Sequence, residues 1–100
     1  MADDIDEIIK ALAHPLRREI LRWLKEPQRF FPDQFHPLEN GVCASQIDQR
    51  AGLSQSTVSA HLATLQRAGL VVSRKVGQWH FFQRNEPAIQ AFLARIDQEL

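Results

Sequence analysis

The sequence has few residues that would cross-link the chain or anchor it in a membrane. It holds a single cysteine, Cys43, so no disulfide can form within the chain, and a reducing compartment, the cytoplasm, is the predicted location. No apolar run approaches the roughly 18 residues that a membrane-spanning helix needs. The first ten residues are acidic and amphipathic, unlike a signal peptide. Neither a membrane protein nor a disulfide-stabilised secreted domain is expected.

Recognisable catalytic patterns are also missing. The chain contains no nucleophile elbow, phosphate-binding loop, HExxH sequence or paired carboxylates in a suitable setting, so we expect no enzyme and no cofactor. Its histidines are scattered. A metal cluster of His14, His36 and Cys43 is conceivable, but their spacing gives it no support.

The charge distribution is uneven although the net charge is zero. Residues 1–13 carry one lysine against four acidic residues, whereas residues 44–84 carry five basic residues against Asp48 alone. A basic segment of this kind indicates a partner only where the fold gathers the charges on one face. One hundred residues predict a single domain, residues 1–100, with a modest core that dimerisation would extend.

Apolar residues recur at helical spacing near both ends of the chain. The first stripe predicts a helix from about Asp4 to Ala13, and the second predicts a last helix with Pro87 near its first turn. Two isolated apolar stripes on a small domain indicate a dimer surface, with closure of a monomer core as the alternative. The residues assigned to that surface are Ile5, Ile8, Ile9, Leu12, Ile89, Phe92, Leu93 and Ile96.

His14-Pro15 ends the first helix, and Pro15 suits the start of a second, PLRREILRWLKE, whose arginines are predicted to point outward. Residues 27–42 contain three prolines and Asn40-Gly41, which predict an irregular segment. Their phenylalanines indicate an ordered loop folded onto the body or a partner. That loop either caps the core and extends the dimer contact, or lines a pocket for an apolar effector.

A short third helix is predicted from Ser45, as its N-cap, to Gly52, followed by a fourth from Ser54 to Gly69. Two helices with glycine at the turn form a helix-turn-helix pattern, in which the second helix enters the DNA major groove by its N-terminal end. Short hydroxyl and amide side chains crowd that end, where base edges and phosphates must come close. The predicted DNA contacts on this helix are Ser54, Gln55, Ser56, Thr57, Ser59, His61, Thr64 and Arg67.

The sequences LVVSRKV and WHFFQR flank a Gly77-Gln78 turn, which predicts a β-hairpin. Arg74, Lys75 and Gln78 lie near its tip and would contact phosphates or the minor groove. The hairpin aromatics are predicted to pack rather than to stack on bases. The fold class is therefore mainly α with a β-hairpin wing, a winged helix-turn-helix in the order α-α-α-α-β-β-α.

The stretch LSQSTVSAHLATLQRAGLV, with SRKVGQWHFFQ after it, resembles the winged helix-turn-helix of ArsR/SmtB-type bacterial transcriptional regulators. LAHPLRREILRWL resembles the second helix of that family. The resemblance implies a homodimer built from the first and last helices, bound to double-stranded DNA at a pseudo-palindromic operator. It also implies a repressor released by a small-molecule or redox effector. The alternative is a winged-helix protein-interaction module without DNA binding, whose binding would not depend on salt.

The resemblance also indicates where metals would bind. Family members that sense soft metals carry Cys-x-Cys before the third helix, and here Cys43-Ala44-Ser45 keeps only the first thiol. The last helix offers Asp97 and Glu99 but no histidine, so no metal is expected at either family site. Cys43 itself has two interpretations: a small buried apolar residue, or a redox sensor whose oxidation would tilt the DNA-reading helices.

Overall fold

The structure, a computed structural model, describes residues 5–100. Within that range the chain forms six α-helices and three strands. The helices are α1 (Ile5–Leu12), α2 (Pro15–Lys25), α3 (Pro27–Phe30), α4 (Ala44–Ala51), α5 (Gln55–Arg67) and α6 (Glu86–Glu99). The strands are β1 (Val42–Cys43), β2 (Val71–Val76) and β3 (Trp79–Arg84). None of the helices described has the length and apolarity required to cross a membrane. The predicted start of the first helix at Asp4 lies outside the described residues.

The break between α1 and α2 follows the prediction, and it is held by side chains as well as by Pro15. His14 caps α2, because its Nδ1 accepts a hydrogen bond from the Leu16 backbone N–H at 3.1 Å. Arg17 and Arg18 turn back to the last carbonyls of α1, where positive charge is favoured. Arg17 Nε donates to the Ala11 carbonyl at 2.6 Å, and Arg18 donates to the Leu12 carbonyl. The prediction that all the α2 arginines point outward is therefore wrong for Arg17, which is half-buried.

The helix-turn-helix consists of α4 and α5. The predicted N-cap at Ser45 is wrong: Cys43 occupies that position, and Ser45 lies inside α4. The cap of α5 is as predicted, since the Ser54 hydroxyl accepts from the Thr57 backbone N–H at 3.2 Å. Gly69, with a φ of 81°, ends α5 in a left-handed turn that lets the Leu70 N–H reach the Leu65 carbonyl at 3.0 Å.

Residues 27–42 are more regular than the sequence indicates, because they include α3, a 3₁₀ turn (Leu38–Asn40) and β1. Phe30 and Phe31 are buried, as a loop folded onto the body requires, whereas Phe35 is 93% exposed. Arg50 of α4 secures this segment, since its guanidinium lies 4.7 Å from the Phe30 ring and donates to the Phe30 carbonyl at 3.2 Å. The segment is thus a packed part of the domain.

The sheet has three antiparallel strands in the order β1-β3-β2, of which the sequence predicted the β2–β3 hairpin only. Because side chains alternate along β3, Phe82 enters the core while Phe81 lies beneath the 31–41 loop. Gly41 makes the close approach of that loop possible. It adopts a φ of 107°, and an added Cβ would come within 3.0 Å of the Phe82 carbonyl oxygen.

The core lies between α2, the helix-turn-helix and the sheet. Its most deeply buried side chains come from every layer, which fixes the position of α5 against the body. They are Ile20, Val42, Ile47, Val58, Leu65, Leu70 and Val71.

Candidate DNA-binding surface

The two faces of α5 differ sharply. Val58, Leu62 and Leu65 are at most 3% exposed and hold the helix to the core, as predicted. The opposite face begins with short polar side chains, all of them exposed. These are Ser54, Gln55, Ser56, Thr57 and Ser59. The N-terminal end of α5 therefore presents hydroxyl and amide groups, together with the free backbone N–H groups of a first helical turn, to anything approaching from outside.

His61 and Thr64 of α5 are occupied within the protomer. The His61 ring centroid lies 4.4 Å from that of His14, and its Nδ1 lies 3.0 Å from Arg17 Nη1. Burial lowers the pKa of His61, and the charges of His14 and Arg17 lower it further. The Thr64 hydroxyl donates to the Ala60 carbonyl at 3.1 Å. Side chains held in this way are poor base readers, so we leave both out of the interface proposed below.

Two of the five basic residues in residues 44–84 are engaged elsewhere in the domain and do not reach the surface around the start of α5. Arg50 packs on Phe30, and Arg84 forms an ion pair with Glu86 at 2.7 Å. The remaining three are exposed, and they are Arg67, Arg74 and Lys75. The predicted basic segment is thus reduced to one residue at the end of α5 and two on the wing.

The wing presents Arg74 and Lys75 on opposite faces of the hairpin, since neighbouring residues of a strand alternate. Arg74 Nη2 donates to Asn40 Oδ1 at 3.3 Å, on the side covered by the loop. Lys75 lies opposite His80 in the register of the two strands, on the face of the hairpin that turns toward α5. Gln78 is exposed in the two-residue turn, after Gly77 with its φ of 61°.

The two apolar stripes are only partly free for a partner. Ile8 and Leu12 are half-buried against the core, and Ile89, at 8% exposure, belongs to it. Because so little of Ile89 is left to bury, we correct the predicted dimer surface by removing this residue. Ile9 and Leu93 are 46% and 50% exposed. Half-exposed aliphatic side chains on two helices leave an apolar surface that a second copy would cover. The remaining three residues of the predicted surface are also half-buried, and they are Ile5, Phe92 and Ile96.

Cys43 is 5% exposed, and its Sγ lies 3.4 Å from the Ser45 hydroxyl. This burial agrees with the interpretation of a small apolar residue. Among residues 5–100 no three His, Cys, Asp or Glu side chains are grouped so that they would hold a metal ion.

Comparison with known proteins identifies the family to which this helix-turn-helix belongs. Residues 38–73, which span the helix-turn-helix and the first three residues of β2, match the model of the arsR family of bacterial regulatory proteins. A Bacillus subtilis protein, the uncharacterized HTH-type transcriptional regulator YbzH, is 42% identical over 85 residues, which cover 83% of this chain and 85% of that protein. The chain belongs to the ArsR family. As an ArsR-family protein it is a DNA-binding transcriptional regulator.

Two further relatives extend the comparison of this ArsR-family chain. The transcriptional activator HlyU of Vibrio cholerae is 33% identical over 86% of this chain and 68% of its own length. A Mycobacterium bovis domain, described as a homodimeric winged helix-turn-helix DNA-binding domain, has a TM-score of 0.69 and 24% identity. The alignment covers 97% of this chain and 80% of that domain, which shows that the two share a fold.

Sequence reasoning also missed two features that lie near the candidate surface of the ArsR-family domain. The capping role of Arg17 was detectable, because a guanidinium just after a helix break lies within reach of the preceding carbonyls. The second feature is a cavity beside Asp48 and Trp79, between α4, α5 and the wing. No sequence pattern indicated it, since its walls come from segments that meet only after folding.

Proposed function

We propose that the chain acts as a homodimer in the cytoplasm, binding a pseudo-palindromic operator as a repressor that an effector releases. The observation that carries the proposal is the exposed polar run from Ser54 to Ser59 on a helix whose opposite face is buried. Two such helix ends in a symmetric dimer would enter successive major grooves, about 34 Å apart or a multiple of that distance.

The two parts of the surface are assigned different tasks. Gln55 and Ser56, on the first turn of α5, would read base edges, since a glutamine amide matches adenine through two hydrogen bonds. Arg74 and Lys75 of the wing would contact phosphates, which position the protein and carry no sequence information. Arg67 at the end of α5 would also meet the backbone.

Homodimerisation is supported by the half-exposed Ile9 and Leu93 on α1 and α6, and by the homodimer named for the Mycobacterium bovis domain. The direction of regulation varies among relatives, because HlyU is named an activator and a Halobacterium salinarum relative is named a repressor. We propose repression because a bound dimer would cover the promoter DNA that a polymerase needs.

The test measures affinity for operator and random duplexes over a series of salt concentrations. Binding should weaken steeply with salt, because each neutralised phosphate releases a counterion. Lys75→Ala should weaken both duplexes alike and reduce the salt slope by about one. Gln55→Ala should lower the preference for the operator by about 1–3 kcal/mol, with Gln90→Ala on α6 as a matched control.

The alternative, a winged helix that binds protein and not DNA, makes the opposite prediction. Duplex binding would then be absent or independent of salt. A loss of base preference in Lys75→Ala with an unchanged salt slope would show that the wing assignment is wrong.

A further inference from the structure

A cavity of about 340 Å³ lies between α4, α5 and β3. This volume falls at the lower end of the range that small-molecule sites occupy, roughly 300–1,000 Å³. Its lining includes the buried, apolar Cys43, Leu62 and Phe82. The cavity is therefore large enough to take a small organic molecule, and its walls offer both polar and apolar groups.

Among the described residues that line the cavity, Asp48 of α4 is the only Asp, Glu, Lys or Arg. It is half-buried, and its carboxylate has no ion pair or hydrogen bond with any side chain in residues 5–100. By contrast Glu19, Glu26, Glu86 and Glu99 each form an ion pair with an arginine. Burial without a positive partner raises the pKa of the Asp48 carboxyl. The cavity thus holds an uncompensated negative charge.

The β3 side of the cavity is aromatic. His80 and Phe82 line it from the α5 face of the strand, and Trp79, which is 40% exposed, borders it at the start of β3, where its ring lies 4.7 Å from that of His36. An aromatic wall beside a carboxylate is a combination that recognises organic cations, since ring faces and anions both attract positive charge.

We propose that this cavity binds a protonated aromatic amine. The ring of the ligand lies against β3 beside His80 and Trp79, and its ammonium group donates hydrogen bonds to the Asp48 carboxylate. A neutral ligand of the same shape leaves that carboxylate unpaired, so the charge determines the affinity.

Occupancy of the cavity also affects DNA binding, an effect that rests on the proposed function. Gln55, Ser59 and Gln78 line the cavity, and they lie on the surface assigned to the duplex. Ligand and DNA therefore compete for these side chains, and each weakens the other by the same factor.

The experiment uses the full chain without DNA, so that its outcome is independent of the proposed function. Tryptamine is titrated into labelled protein and compared with tryptophol, which replaces the ammonium group by a hydroxyl. Two tryptophan indole N–H signals report by NMR: Trp79 lines the cavity, and Trp23 is buried outside it. Trp79→Phe assigns the two signals.

Tryptamine should shift the Trp79 signal and leave that of Trp23 in place, with an affinity about tenfold or more above that of tryptophol. Asp48→Asn should remove the difference between the two ligands, whereas Asp33→Asn, at an exposed carboxylate outside the cavity, should keep it. Equal affinities in the parent protein, or no shift of Trp79 at millimolar tryptamine, would overturn the proposal. In a second step, adding operator should displace tryptamine. Displacement of tryptamine by the operator supports competition between ligand and DNA. Simultaneous binding of both refutes the competition, although the ligand site itself would still stand.

Discussion

Ser54 offers a way to separate the stability of α5 from its contact with DNA. Its hydroxyl accepts from the Thr57 backbone N–H at 3.2 Å and donates to the Thr57 hydroxyl at 2.9 Å. Ser54→Ala removes the N-cap acceptor, which costs about 1 kcal/mol in proteins. For a domain of this length that loss lowers the melting temperature by roughly 4–8 °C.

Ser54→Asp is the informative partner of that variant. A carboxylate accepts from the same N–H and lies at the positive end of the helix dipole, so the free energy of unfolding should return to that of the parent. The same negative charge faces the phosphates of a bound duplex. DNA affinity should therefore stay reduced, and the deficit should shrink as salt is raised.

The assay combines urea unfolding with fluorescence anisotropy of a labelled operator, both at one fixed protomer concentration, because dimerisation contributes to stability. In the unfolding measurement, Ser59→Ala, at an exposed position of the same helix, controls for loss of a hydroxyl without loss of a cap. The reasoning fails if Ser54→Asp is as unstable as Ser54→Ala, or if Ser54→Asp binds the operator as tightly as the parent.

Three further predictions concern other parts of the molecule. Because its folded-state pKa lies below the unfolded value of about 6.5, His61 binds a proton more readily in the unfolded chain, so stability should fall as pH drops through 6.5 toward the folded value. His61→Gln should flatten that dependence in unfolding measured from pH 5 to 8, and an unchanged slope would contradict the assignment. Leu93→Asp should shift sedimentation toward monomer while Ala91→Asp, exposed on the opposite side of α6, stays dimeric; a dimeric Leu93→Asp would place the interface elsewhere. Mild peroxide should leave operator affinity unchanged in the parent and in Cys43→Ser, since the thiol is 5% exposed, and a loss confined to the parent would make Cys43 a sensor.

Local signals in the sequence were sufficient for the helix-turn-helix and the hairpin. The stripe of Val58, Leu62 and Leu65, the cap at Ser54 and the turn at Gly77 each depend on neighbours a few residues away, and the structure has all three. The family resemblance was confirmed by comparison with known proteins.

The features that were missed depend on distant contacts. Strand β1 is two residues long and exists because Val42 pairs with Phe82, some forty positions away, which no local pattern encodes. Ile89 continues a helical stripe that looked like a dimer surface, yet the body of the protomer buries it. Arg17 is an exception, because the carbonyls to which it donates lie only six and seven positions back in the chain.

The most direct test of the central claim is guanine N7 methylation protection on an operator selected from random duplexes. N7 lies in the major groove, where the two α5 helix ends are proposed to lie. The account predicts two protected patches, separated by one helical turn or a whole multiple of it. A single patch, or no N7 protection on an operator that the protein binds, would contradict a dimer that reads DNA through these helices.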